Sequence, residues 1–267
     1  MKRVVPGVLI AGFWFLLLLE GSARLFCLVA VVIVLVAADE YLKMADVRRL
    51  SFFERWILSI SLAAPVAFAC IYPQLAVLPP ALLFSFLALT CYFLYRYRNI
   101  PDSYALFCRL VFGLFYIGFL GAHLVLLRFV PDGGSWLIIG TAITACSDTG
   151  AYFVGRSVGK NKLCPNISPN KTIEGAIGGI VAGVMAAAGF ALILHPPFTW
   201  TFLLIAAVFL SLVGIIGDLT ESIIKRGTGT KDSGTLLAGH GGILDRADSL
   251  LFVGPVLYYL LLLPVLL

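Results

Sequence analysis

Between Gly175 and Leu194, and again between Phe198 and Gly217, the chain runs for twenty residues without a charged side chain. An α-helix rises about 1.5 Å per residue, so such a run spans the roughly 30 Å hydrocarbon core of a bilayer. In lipid every backbone N–H and C=O must be satisfied within the segment, which leaves the helix as the natural form of a single apolar run. Nine stretches read this way: 4–19, 22–38, 56–77, 79–95, 106–127, 135–155, 173–194, 198–217 and 249–267. Composition agrees: 61% of residues are apolar, 12% are charged and the mean hydropathy is +1.02. Soluble domains average about 45–50% and about 25%, so no water-soluble fold of 267 residues covers this much hydrocarbon. The expected fold is an all-α, polytopic membrane helix bundle of about nine spans.

Charge orients the bundle. Lys2-Arg3 before the first run suggests a signal peptide, but Glu20-Gly21-Ser22 supplies no small-x-small cleavage site, so a retained first helix is expected. With nine spans, sixteen of the nineteen basic residues fall on one side, Arg24 and Arg128 on the other, and Arg109 within a span. The positive-inside rule then places the N-terminus and the large loops in the cytoplasm and the C-terminus opposite. The same rule accounts for the net charge of +5 without nucleic acid. The six cysteines, scattered through apolar runs without paired spacing, read as small buried hydrophobes.

The chain divides by texture. Residues 1–130 carry about five spans and read as scaffold; within them the charged, aromatic stretch 39–55 reads as an amphipathic helix lying in the interface. Residues 131–267 read as the catalytic region, with cytoplasmic loops 156–172 and 218–248. Gly175, Gly179 and Gly183 form a ridge of small residues that lets helices approach closely. Asp148 lies within a span, where an unpaired carboxylate costs about 2.5–3.5 kcal/mol; it is either a structural partner for a base such as Arg156 or part of a site.

Two patterns mislead. Gly155 to Lys160 approximates a phosphate-binding loop, but its glycines are one residue too close and Asn161 stands in place of Ser or Thr. Asn166-Ile-Ser168 and Asn170-Lys-Thr172 are glycosylation sequons, yet the charge pattern puts them in the cytoplasm. The substantive feature is Ser222 to Asp248, SIIKRGTGTKDSGTLLAGHGGILDRAD, a polar stretch between two apolar runs. Asp218, Glu221, Ser222 and Lys225 fall on one helical face, and Asp245 and Asp248 on one face of the turn opening the last span. With Asp148 they supply hard oxygen ligands suited to Mg²⁺. Lys171, Lys225, Arg226, Lys231 and Arg246 suit phosphate oxygens, and the glycines let backbone amides approach an anion. Together these are the needs of magnesium-dependent phosphoryl chemistry. His240 reads equally as a base or phosphate ligand and as a loop stabiliser, whereas His123 and His195 read as incidental.

These residues resemble the phosphatidate cytidylyltransferase, or CDP-diacylglycerol synthase, family. The resemblance is carried by S-x-x-K-R-x4-K-D-x-G at Ser222 to Gly234 and G-H-G-G-x-x-D-R-x-D at Gly239 to Asp248, with Ser147 to Tyr152 and Ser168 to Gly175. It covers about residues 140–250; Ala238 stands where the family usually has Pro, and Ala247 where a bulkier apolar residue is usual. The resemblance implies the reaction CTP + phosphatidic acid → CDP-diacylglycerol + pyrophosphate, with acyl chains kept in the bilayer. It implies Mg²⁺, with room for a second cation, at Asp218, Asp245, Asp248 and Asp148. Catalytic roles fall on Asp218, Lys225, Arg226, Lys231, Asp245 and Asp248, and substrate binding on Lys171, Ser222, Asp232, His240 and Arg246. Expected partners are CTP and phosphatidic acid in a cytoplasm-facing site, and a homodimer is allowed. Two rivals remain: a CTP-dependent transferase acting on another lipid phosphate or alcohol, and a transporter of phosphorylated anions. The second is disfavoured because the two halves are unlike and the charges gather at one membrane edge.

Overall fold

The computed structural model describes residues 4–45, 51–100, 102–234 and 241–263. Helices dominate: α1 (Val4–Leu19), α2 (Ala23–Met44), α3 (Phe52–Ile71), α4 (Leu78–Arg96), α5 (Ser103–Gly113), α6 (Leu120–Arg128), α7 (Gly133–Val158), α8 (Ile173–Leu194), α9 (Trp200–Gly227) and α10 (Leu244–Leu261). A π-helical segment, Leu114–Phe119, joins α5 to α6 into one rod. The all-α expectation holds apart from a small antiparallel hairpin, β1 (Lys162–Cys164) and β2 (Ser168–Thr172).

Among the described residues, seven helices are long and apolar enough to cross a membrane: Ala23–Met44, Phe52–Ile71, Leu75–Asn99, Ser103–Arg128, Gly133–Val158, Ile173–Leu194 and Trp200–Gly227. The other two stretches expected to span are shorter or more polar. α1 has 16 residues, about 24 Å at helical rise, and α10 carries Asp245, Arg246 and Asp248 in its first two turns. Large apolar side chains lie bare on the outside of the bundle, among them Leu94, Met185, Ile193 and Ile205. Water would not tolerate that surface, and lipid does. The chain is an integral membrane protein.

Several boundaries differ from expectation for local reasons. α2 continues to Met44, and α3 starts at Phe52 behind a capping box in which Ser51 and Glu54 satisfy each other's backbone N–H groups. Residues 39–44 and 52–55 therefore belong to two bundle helices, not to one interfacial helix. α9 runs ten residues beyond its apolar part to Gly227, which keeps Asp218, Glu221, Ser222 and Lys225 on one helix as their spacing implied and leaves only the part of the 218–248 region after Gly227 outside it. The six cysteines are unpaired but none is fully buried, and Cys91 and Cys108 face outward. His123 is buried against the Phe119 carbonyl, and His195 ends α8 in the left-handed region at φ 49°.

The glycine ridge packs as expected. A Cβ on Gly175 or Gly179 would lie 2.8 Å from the carbonyl oxygens of Ala151 and Ser147, so α8 rests backbone to backbone on α7. Gly217 does the same between α9 and α10, where a Cβ would sit 2.7 Å from the Asp248 carbonyl oxygen. These contacts draw the polar ends of four helices together.

Candidate active site

A cavity of about 1150 Å³ opens where the polar ends of α7, α8, α9 and α10 meet beneath the β1–β2 hairpin. This exceeds the roughly 300–1,000 Å³ of ordinary small-molecule pockets and leaves room for two phosphorylated groups. Asp148 reaches it from α7, Lys171 from β2, Asp218, Glu221 and Lys225 from α9, and Asp245, Arg246 and Asp248 from α10. Lys231 and Asp232 arrive on the connection between α9 and α10. Ser222 is not in the lining, and His240 lies outside the described residues.

Each element is held by identifiable bonds. The Thr172 hydroxyl accepts from the Gly175 N–H at 3.1 Å and caps α8, fixing the strand that carries Lys171. Glu174 accepts from the Asn161 side chain at 2.7 Å and from the Lys160 N–H at 3.1 Å, closing the base of the hairpin. Arg226 turns away from the cavity and donates from Nε to the Ile167 carbonyl at 3.2 Å. It pins the hairpin tip to α9, a different place from the phosphate contact expected of it. Arg156 donates to the Tyr152 hydroxyl at 2.9 Å, so the alternative pairing of Asp148 with Arg156 is not formed.

The charges are interlocked. Lys171 forms an ion pair with Asp218. Lys225 Nζ bridges Glu221 Oε2 at 2.5 Å and Asp245 Oδ1 at 2.8 Å, joining α9 to α10. The other Asp245 oxygen accepts from the Ser233 N–H at 2.9 Å, the Ser233 hydroxyl at 2.9 Å and the Gly242 N–H at 2.8 Å. Burial disfavours the charged form of Asp245, but bonds from Lys225 and the Gly242 and Ser233 amides outweigh it, holding the carboxyl at about 2. Both oxygens are thus engaged, which makes Asp245 an anchor for Lys225 and the loop in this conformation.

Asp148, Asp218 and Asp248 act on one another electrostatically across the cavity. Their oxygens are the donor type that hard cations take. Among the described residues, no three Asp, Glu, His or Cys side chains are gathered tightly enough to enclose a metal ion. The lining carries five basic residues and six acidic ones. A nucleotide triphosphate entering it would add several negative charges to a set already slightly acidic.

Two residues, Tyr116 and Glu40, escaped the sequence reading, and the burial of Glu221, already placed on the α9 face, was not foreseen. Glu221 is almost wholly buried, and its Oε1 has no hydrogen-bond partner among the described residues. Tyr116 sits on the π-helical segment, a deformation common at functional sites; its hydroxyl is buried and similarly unpartnered, within the electrostatic reach of Asp248 and Glu221. Glu40, on α2, touches the start of α10 through both carboxylate oxygens. An ionisable residue inside an apolar helix is itself a signal, and the paired charges Asp39-Glu40 at the end of a long apolar run displayed it.

Comparison with known proteins gives the following. The family described as cytidylyltransferase matches residues 1–263. A phosphatidate cytidylyltransferase of Bacillus subtilis (strain 168) is 48% identical over 147 residues, 55% of each chain. The protein of that name from Staphylococcus saprophyticus is 41% identical over 158 residues, 59% of each chain. The one from Brucella suis is 46% identical over 147 residues, 55% of this chain and 54% of the relative. The matched stretch thus spans little more than half the length of these curated relatives.

Proposed function

Since the chain belongs to the cytidylyltransferase family, we propose that it transfers the cytidylyl group of CTP to phosphatidic acid, forming CDP-diacylglycerol and pyrophosphate. The observation that carries this reading is Lys171 on Asp218 and Lys225 between Glu221 and Asp245 within one cavity at the polar end of an apolar bundle. Lysines held by carboxylates stay charged and oriented, and can be shared with phosphate oxygens when substrate arrives. Relatives bearing the name phosphatidate cytidylyltransferase supply the lipid and the nucleotide.

In the proposed reaction an oxygen of the lipid phosphate attacks the α-phosphorus of CTP. The new P–O bond forms as the bond to the bridging oxygen of the β-phosphate breaks, and pyrophosphate leaves with the electron pair. The nucleophile is already anionic near neutral pH, so the chief obstacle is repulsion between two phosphates. Lys171, Lys225 and Lys231 reduce it directly, and Arg246 lines the same cavity. Asp232 beside Lys231 serves the nucleotide side, while Arg226 holds the hairpin to α9 from outside the lining and Ser222 lies on α9 outside it. A hard divalent cation, Mg²⁺ in this reading, would be shared between substrate phosphate oxygens and one or two of the carboxylates Asp148, Asp218 and Asp248, which do not by themselves form a three-carboxylate cage, and would supply the charge neutralisation that the acidic lining lacks.

The reading also places the cavity on the cytoplasmic side, from the distribution of basic residues, and assigns residues 131–267 to chemistry and 1–130 to support. The test is acceptor choice. Purified protein in mixed micelles receives CTP, Mg²⁺ and either phosphatidic acid or diacylglycerol. Cytidine-containing lipid is expected with phosphatidic acid alone; product only from diacylglycerol would assign the chain to an alcohol-acting transferase instead.

A further inference from the structure

We infer that Glu40 is a positioning residue for cytidylyl transfer, clamping the start of α10 from the N-terminal half of the chain and so setting Asp245 and Asp248 against α9. The inference rests on the reaction proposed above. Glu40 lies on α2 and is 3% exposed. Its Oε1 accepts from the Ile243 N–H at 3.1 Å, and its Oε2 from the Leu244 N–H at 3.0 Å and the Ser233 hydroxyl at 3.3 Å. α10 has no capping side chain of its own at Ile243. Helix starts leave unpaired N–H groups and a partial positive charge, and a carboxylate satisfies both. Here that carboxylate comes from about 200 residues away in the sequence.

The clamp is built for close approach. A Cβ on Gly234 would lie 2.5 Å from Glu40 Oε1, and one on Gly242 2.4 Å from Oε2. Both glycines are therefore needed to bring the loop onto the carboxylate. What Glu40 fixes stands next to the chemistry. Leu244 precedes Asp245, Asp248 follows one turn later, and Ser233 bonds both Glu40 and Asp245 while following Lys231 and Asp232 in the lining. Glu40 is not itself in the cavity lining; it works through the backbone that carries the lining residues.

Glu40→Gln keeps the shape but turns one acceptor into an N–H₂ group facing a backbone N–H. The half-saturating Mg²⁺ concentration for turnover is expected to rise about fivefold or more and kcat to fall about tenfold, with a smaller change in the KM for CTP. In the metal-free protein the amides of residues 243–248 are expected to exchange hydrogen about tenfold faster than in the wild type, with α4 unchanged. Glu40→Asp, which retains the buried charge with a shorter reach, gives the same pattern at smaller amplitude and serves if Glu40→Gln does not fold. Glu54→Gln, which removes an ion pair to Arg96 elsewhere in the same half, leaves the Mg²⁺ dependence unchanged. A folded Glu40 variant with wild-type Mg²⁺ dependence and wild-type exchange at α10 overturns the inference, even if the amount of folded protein falls. Wild-type protein that makes no CDP-diacylglycerol from CTP and phosphatidic acid is a separate result, which removes the proposed reaction and leaves the exchange measurement to judge the clamp.

Discussion

Lys225 is the sharpest place to separate charge balance from catalysis. It bridges Glu221, whose side chain is 1% exposed, and Asp245, 11% exposed. Lys225→Met preserves most of the volume and strips both carboxylates of this cation. Breaking a buried pair costs about 3–5 kcal/mol. Lys225 keeps 17% of its side chain accessible, so some solvent screening remains and the low end, about 3 kcal/mol, applies. At about 2–4 °C per kcal/mol for a chain of this size, the melting temperature in detergent should fall by about 6–12 °C. Activity should fall further than stability explains, by roughly 100-fold or more, as when one preorganised donor to a transition-state oxyanion is lost. The double variant Lys225→Met/Glu221→Gln removes the stranded buried charge while Asp245 keeps its three N–H and O–H donors. It should recover at least half of the lost melting temperature and none of the lost kcat/KM. Melting is read by intrinsic fluorescence and activity by CDP-diacylglycerol formation. Recovery of activity together with stability would refute the phosphate-binding role and leave Lys225 a structural bridge.

Lys231→Ala should raise the KM for CTP or depress turnover severely, whereas Arg226→Ala, which frees the hairpin tip from α9, should do so less; equal loss in both, by steady-state kinetics, contradicts the cavity assignment. Gly217→Val places a side chain against the Asp248 backbone and should cost about 1–3 kcal/mol through overpacking, seen as reduced folded yield and melting temperature; a wild-type melt would show that α9 and α10 do not meet there. In a background without accessible cysteines, Lys231→Cys in sealed right-side-out membranes should react with an impermeant thiol reagent only after permeabilisation; labelling before it would reverse the orientation.

Much of this architecture was legible because hydrophobic length and charge asymmetry act over whole segments. The limits of α8, Ile173–Leu194, coincide with an apolar run closed at Thr172 by a capping residue. The Gly175–Gly179 ridge announced a close helix contact through small-residue spacing alone, and the structure shows the partner to be α7. Boundaries failed where a polar stretch continues a helix beyond the membrane-compatible part. Lys225 was legible as helical from its spacing to Asp218 and Glu221, whereas the end of α9 at Gly227, with Lys225 and Arg226 in favourable positions near the helix C-terminus, was not. The partners of Lys171, Arg226 and Glu40 were not legible, because each lies across a tertiary contact that periodicity does not encode. Arg226 shows the consequence: its residue type suits phosphate, and its position delivers it to a carbonyl on the hairpin. Asp245 looked like one more metal ligand, and its bonds to Lys225, Ser233 and Gly242 turn it inward as an anchor.

The most direct test follows the phosphorus. Purified protein is incubated with phosphatidic acid, Mg²⁺ and CTP radiolabelled at either the α- or the γ-phosphate, and lipid and aqueous phases are separated. Cytidylyl transfer predicts that α-label appears in the lipid while γ-label leaves entirely as pyrophosphate. Both signals should be abolished by Asp218→Asn in protein that still folds. Gamma-label in the lipid, or α-label remaining wholly in the aqueous phase with active wild-type protein, would contradict the account.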